Sequence, residues 1–143
     1  MPFKYLEDIA TADVAFEAWG KTLEEMFVSA ADATMNTMVT DLDTIDAKEV
    51  RKFRLESYAI DMLLFELLQE LIFFKDAQNL LLRVPRVEVQ GEEGRFTLSA
   101  EAYGEEINPE KHDLIVDVKA VTLHRYRVEK TPLGWECTVI LDV

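Results

Sequence analysis

Trp135-Glu136-Cys137-Thr138-Val139-Ile140-Leu141-Asp142-Val143 reads as a β-strand whose apolar patterning persists to its last residues. Trp135, Cys137, Val139 and Leu141 share one parity, so one face of the strand points into a core. Cys137 is on that face and behaves as a small buried residue rather than a reactive thiol. Terminal residues are ordinarily frayed and polar. Here the Asp142 side chain stands beside the Val143 α-carboxylate, and two oxygen-rich groups at a sheet edge suit a hard cation. A solvated strand end accounts for the same residues without any function.

The segments before this strand set the fold class. Leu80 to Gln90 is expected to pair with Arg95 to Tyr103 through the glycine-bounded turn Gly91-Glu92-Glu93-Gly94. Gly104 to Asp113 reads as a polar loop. Ile115 to Lys130 reads as a long strand, bent or bulged, which Thr131-Pro132-Leu133-Gly134 turns into the last one. Nearer the start, Phe3 to Leu6 and Val14 to Ala18 are strand-like. Thr22-Leu23-Glu24-Glu25 has capping-box spacing, and Leu23, Met26, Phe27, Ala30, Thr34 and Met38 follow at helical intervals. Val39 to Asp46 reads as a loop and Glu49 to Ser57 as a charged strand. A second helix is expected from Tyr58 to Lys75, capped by Ser57, with a stripe through Ile60, Leu63, Leu64, Leu67, Leu68, Leu71 and Ile72. The pattern predicts an α+β fold: two helices packed on a largely antiparallel sheet, in a single domain over residues 1–143.

Composition narrows the function classes. The chain has 143 residues, 49% of them apolar and 30% charged, which excludes general disorder. No apolar run reaches the ~20 residues that span a bilayer, and the start, Met1-Pro2-Phe3-Lys4, lacks the basic and apolar regions of a secretory leader. A lone cysteine points to the reducing cytoplasm. Twenty-eight acidic side chains against 15 basic ones give a net charge of −13. That argues against a surface that grips nucleic acid unaided and allows a cation or a basic protein partner.

Candidate chemistry is sparse. Asp13 precedes a strand and reads either as a turn aspartate bonding its own backbone or as a carboxylate ligand. If its strand lies beside the last one, Asp13, Asp142 and Val143 bring three carboxylates together, and these repel unless a cation neutralises them. His112, next to Asp113 in a loop, is a candidate for acid–base or metal chemistry. His124 reads as a strand histidine. No CxxC pair, phosphate-cradling glycine loop or nucleophile elbow is present.

Taken in order, several segments resemble the archease family. They are Thr11-Ala12-Asp13, Gly20-Lys21-Thr22-Leu23-Glu24-Glu25-Met26-Phe27, Leu63-Leu64 with Leu67-Leu68-Gln69-Glu70-Leu71, Ala100 to Glu105, Lys111-His112, Val118 to Thr122 with His124, and Gly134-Trp135 leading to Val139 to Val143. The likeness covers essentially the whole length. It implies a cytoplasmic accessory protein, not itself an enzyme, that assists the RtcB-type RNA ligase of tRNA splicing and RNA repair. The family promotes guanylylation of that ligase and its multiple turnover, so RNA is met only through the ligase and no membrane is involved. The resemblance further implies a divalent metal, Ca²⁺ before Mg²⁺ or Mn²⁺, held by Asp13, Asp142 and Val143, which requires the first and last strands to meet. Glu70 and His112 are carried as residues behind the metal site or facing the partner. Where many archeases have histidine before Thr-Ala-Asp, this chain has Ala10. It also has Leu67, Gln69 and Leu123 where the family often carries other residues. Two other readings compete: a stand-alone metal-dependent hydrolase using the same carboxylates with His112 as acid or base, and an acidic interaction module without a functional metal.

Overall fold

Thr22 starts the first helix, α1 (Leu23–Met38): its hydroxyl accepts the Glu25 N–H at 3.1 Å, and Glu25 Oε2 accepts the Lys21 N–H at 2.8 Å. This is the reciprocal exchange of a capping box, with the return bond displaced by one residue. The computed structural model describes residues 2–6 and 13–143. Phe27, Met26, Ala30 and Met35 of α1 are sealed from solvent. The hydroxyls of Ser29, Thr34 and Thr37 donate to the carbonyls of Glu25, Ala30 and Ala33, so its buried polar groups are satisfied.

The strands are β1 (Phe3–Leu6), β2 (Asp13–Gly20), β3 (Glu49–Ser57), β4 (Leu80–Arg83), β5 (Val87–Glu92), β6 (Arg95–Glu106), β7 (Ala120–Thr131) and β8 (Gly134–Asp142). They form two four-stranded antiparallel sheets, one in the order β1-β2-β8-β7, the other with β6 central between β3 and the end-to-end pair β4 and β5. The first and last strands share a sheet, and the strand that adjoins β8 is β2, with β1 outside it. Helix α1 and the second helix, α2 (Ile60–Gln78), lie between the sheets, and each packs on strands of both. That position explains why α2 is apolar on more than one face: Leu63, Leu64, Leu67, Leu68 and Leu71 are all fully buried.

Three sequence expectations are corrected. Helix α2 begins at Ile60 after Ala59, with no side-chain cap. Ser57 cannot serve as that cap because strand pairing claims it: it is the last residue of β3, opposite Phe96. The single strand expected over Leu80 to Gln90 is two strands, separated by Val84-Pro85-Arg86. Proline has no N–H to offer a ladder, so pairing is interrupted there and resumes at Val87. The polar loop after Gly104 starts later, because β6 continues to Glu106 to pair with Leu80. Where β4 passes β6, a Cβ on Gly104 would sit 1.7 Å from the Leu81 carbonyl oxygen, so only hydrogen fits.

The strand expected from Ile115 begins only at Ala120, and the irregularity expected within it is present. Thr122 pairs with Ile140 and Arg127 with Thr138, leaving Leu123 to Tyr126 opposite Val139 alone. Arg125 takes a left-handed φ of 52° to make this bulge. The excursion delivers Tyr126 to α2, where its hydroxyl donates to Asp61 O at 2.6 Å and its ring meets Phe65 edge-on.

Candidate metal centre

Asp13 and Asp142 are register partners on β2 and β8. Phe16, Ala18, Cys137, Val139 and Leu141 occupy the core-facing parity, so the two aspartates stand together on the opposite face of the sheet. Directly opposed residues on antiparallel strands have Cβ atoms about 5 Å apart, and like charges there are destabilising. The row continues to Ala120 on β7, which brings only a methyl group beside Asp142. The Lys119 N–H donates to Asp142 O at 2.8 Å, fixing the end of β8 against the approach to β7. Val143 is partly buried and packs on the core, which anchors the residue bearing the α-carboxylate.

The donor set is hard oxygen, the class that suits calcium, magnesium or manganese. Among the described residues, no three His, Cys, Asp or Glu side chains gather as a metal cluster. A cation here would therefore draw its side-chain oxygens from these two aspartates alone. Ala10, Thr11 and Ala12, which precede Asp13, lie outside the described residues.

Glu70 and His112 do not join the aspartates in such a cluster. Glu70 is half-buried on α2, next to Gln69, whose side-chain carbonyl accepts the Val121 N–H at 2.9 Å. That bond ties α2 to β7 one residue from Ala120. His112 is 1% exposed and offers a partner no surface. Its Nδ1 accepts the Asn108 N–H at 2.9 Å, which makes Nε2 the protonated nitrogen of the neutral ring. Nε2 lies 3.4 Å from Glu105 Oε2 without forming an aligned hydrogen bond. A ring sealed in this way is poorly placed for acid–base work on a substrate.

The sequence reading overlooked the cluster that holds His112. Glu105 is 5% exposed, and its carboxylate accepts from Lys111 Nζ and from the Asp46 N–H, both at 2.6 Å, with Lys48 Nζ at 3.6 Å. The Lys111 bond first, then the Asp46 amide, hold the Glu105 carboxyl down at about 2. Its pKa is lower folded than unfolded, so the stabilisation is complete above pH ~4.5 and is lost as pH falls toward 2. Glu105→Gln is expected to flatten the decline in urea midpoint between pH 5 and pH 3 relative to wild type. An unchanged slope would show that this cluster does not contribute. The signal for it in the sequence is the opposite charge of Glu105 and Lys111 on either side of the turn at Asn108.

Elsewhere, Arg127 bridges Glu17, Glu129 and Glu136 across the outer face of the first sheet. Lys75, 5% exposed, is neutralised by Asp76 and Asp117 and donates to Val118 O at 2.8 Å. Burial pushes the Cys137 thiol up to about 12, so it stays protonated and unreactive. No described helix is long and apolar enough to cross a membrane.

Comparison with known proteins bears on the family and the fold. The archease protein family model matches residues 3–143. The protein archease of Pyrococcus abyssi is 35% identical over 134 residues, covering 93% of this chain and 94% of that one. The protein archease of Methanosarcina acetivorans is 35% identical over 142 residues, covering 99% and 95%. Among solved structures, protein 1598 of Methanobacterium thermoautotrophicum superposes with a TM-score of 0.84 at 33% identity, covering 99% of both chains. A Thermotoga maritima protein described as an archease and "possible chaperone" has a TM-score of 0.59 at 16% identity, over 96% of this chain and 97% of that one, and shows the shared fold alone.

Proposed function

Since this chain belongs to the archease family, we propose that it is an accessory protein of an RtcB-type RNA ligase, promoting GTP-dependent guanylylation and multiple turnover without being an enzyme itself. The observation that carries the reading is the register pairing of Asp13 with Asp142. Two carboxylates opposed across a ladder cost stability unless something positive stands between them. Asp13, Asp142 and the Val143 carboxylate are the groups that would hold a divalent cation, Ca²⁺ before Mg²⁺ or Mn²⁺. When bound, that ion supplies positive charge for phosphate oxygens. The protein's own part is to fix those oxygens on adjacent strands and to leave the other coordination positions to water or a partner. The net charge of −13 favours docking on a basic, RNA-holding enzyme over gripping RNA directly. A stand-alone hydrolase using His112 fits less well, because that ring is buried and its Nδ1 is occupied.

The test reconstitutes this protein with the RtcB-type ligase of its own source, GTP and Mn²⁺. The expected result is faster formation of the guanylylated ligase and more than one turnover per ligase molecule. An unchanged guanylylation rate and turnover number would reject the accessory role.

A further inference from the structure

The outer face of the second sheet carries a groove of about 570 Å³ that the reading above does not use. Register builds it. Lys52 on β3 stands opposite Glu101 on β6, and Arg54 stands opposite Ser99, with Glu88 of β5 on the far side of Ser99. Arg86, just before β5, closes the row of Glu101. Ser99 is small between long neighbours, and that difference in reach makes the surface concave.

The charges are unevenly committed. Tyr103 donates to Glu101 Oε2 at 2.6 Å and Lys52 Nζ lies 3.4 Å from Oε1, so the Glu101 charge is already met. Arg54 and Glu88 flank Ser99 on opposite sides and form no ion pair with each other. Among the described residues, neither Arg54 nor Arg86 has an ion-pair partner, although the chain carries 28 carboxylate side chains. Two exposed guanidiniums without an ion-pair partner, beside the Ser99 hydroxyl, form a donor set for a tetrahedral oxyanion.

We infer that the groove over Ser99 binds the phosphate of a nucleotide or of an RNA strand, clasped between Arg54 and Arg86. This site is on the other sheet from Asp13 and Asp142 and does not depend on the ligase reading. The strongly negative chain outside the groove limits such binding to a few phosphates rather than a long footprint.

The test follows amide shifts of ¹⁵N-labelled full-length protein titrated with adenosine 5′-monophosphate, with an eight-nucleotide oligouridylate, and with acetate as a carboxylate control. Shifts are expected to concentrate at Lys52 to Arg54, Arg86 to Glu88 and Ser99 to Tyr103. Arg54→Gln with Arg86→Gln should weaken phosphate binding about tenfold, each single change about threefold, while Lys130→Gln, a cation outside the groove, leaves it unchanged. Should the double variant lose its dispersed spectrum, the single variants carry the same comparison. Equal affinity for the mononucleotide and the oligomer identifies a nucleotide site. Tighter oligomer binding that falls about sevenfold between 50 and 200 mM salt identifies an RNA strand making two phosphate contacts. Unlocalised shifts, equal weakening by Lys130→Gln, or acetate binding as tightly as phosphate would overturn the proposal.

Discussion

Asp142→Asn is expected to raise the stability of the metal-free protein and to remove most of the stabilisation that calcium confers. The two effects have opposite signs and one cause. Without a cation, Asp142 faces Asp13 directly across the ladder, and relieving that repulsion should gain about 0.2–1 kcal/mol. With calcium at a hundred times Kd, the wild-type protein should gain ~2.7 kcal/mol, or roughly 10 °C in Tm for a chain of this length. A variant that binds a hundredfold more weakly retains only ~0.4 kcal/mol of that gain. Asp13→Asn should behave alike. Thermal unfolding of both variants, with chelator and then with excess calcium, reads both terms. If each variant keeps the full calcium shift, the proposed ligands are wrong. If neither is stabilised in chelator, the opposition of charges is not the reason a cation is wanted.

Gly104→Ala should be the most damaging single-methyl change in the molecule. The added Cβ would fall 1.7 Å from Leu81 O and 2.7 Å from Leu81 C, both backbone atoms held by the β4–β6 ladder. Neither can swing aside as a side chain can, so the ladder must open. Leu80, Leu81 and Leu82 are all essentially buried, and moving them breaches the seam between α2 and the second sheet. Gly104 O also accepts the Lys48 N–H at 2.9 Å, so the displacement reaches the start of β3. A loss of about 3 kcal/mol is expected, seen as a lower urea midpoint at unchanged slope. A loss below about 1 kcal/mol would mean that β4 is far softer than its burial implies.

Local chemistry was legible in the chain. Thr22 and Glu25 marked the start of α1, the spacing from Leu23 to Met38 marked its buried face, and the parity of Cys137, Val139 and Leu141 marked the core side of β8. Competition between elements was not legible. Ser57 is as good a cap on paper as in any helix, yet pairing with Phe96 takes it into β3. Pro85 was visible, but nothing local showed that the chain on both sides of it would use the same edge of β6. For the candidate site, the residue types at Asp13 and Asp142 could be read, whereas their opposition is a matter of long-range register. The same holds for Arg54, Arg86 and Ser99, which lie on separate strands and form a groove only once those strands are aligned.

Asp13 and Asp142 are separated by nearly the whole 143-residue chain and become neighbours only through the β2–β8 ladder. While a nascent chain is still emerging, β2 has no β8 to pair with, so the first sheet closes only after β8 has been made. Any cation affinity that rests on both aspartates therefore cannot precede closure of the first sheet. A partner that recognises the paired end of that ladder would select folded molecules and ignore half-folded ones.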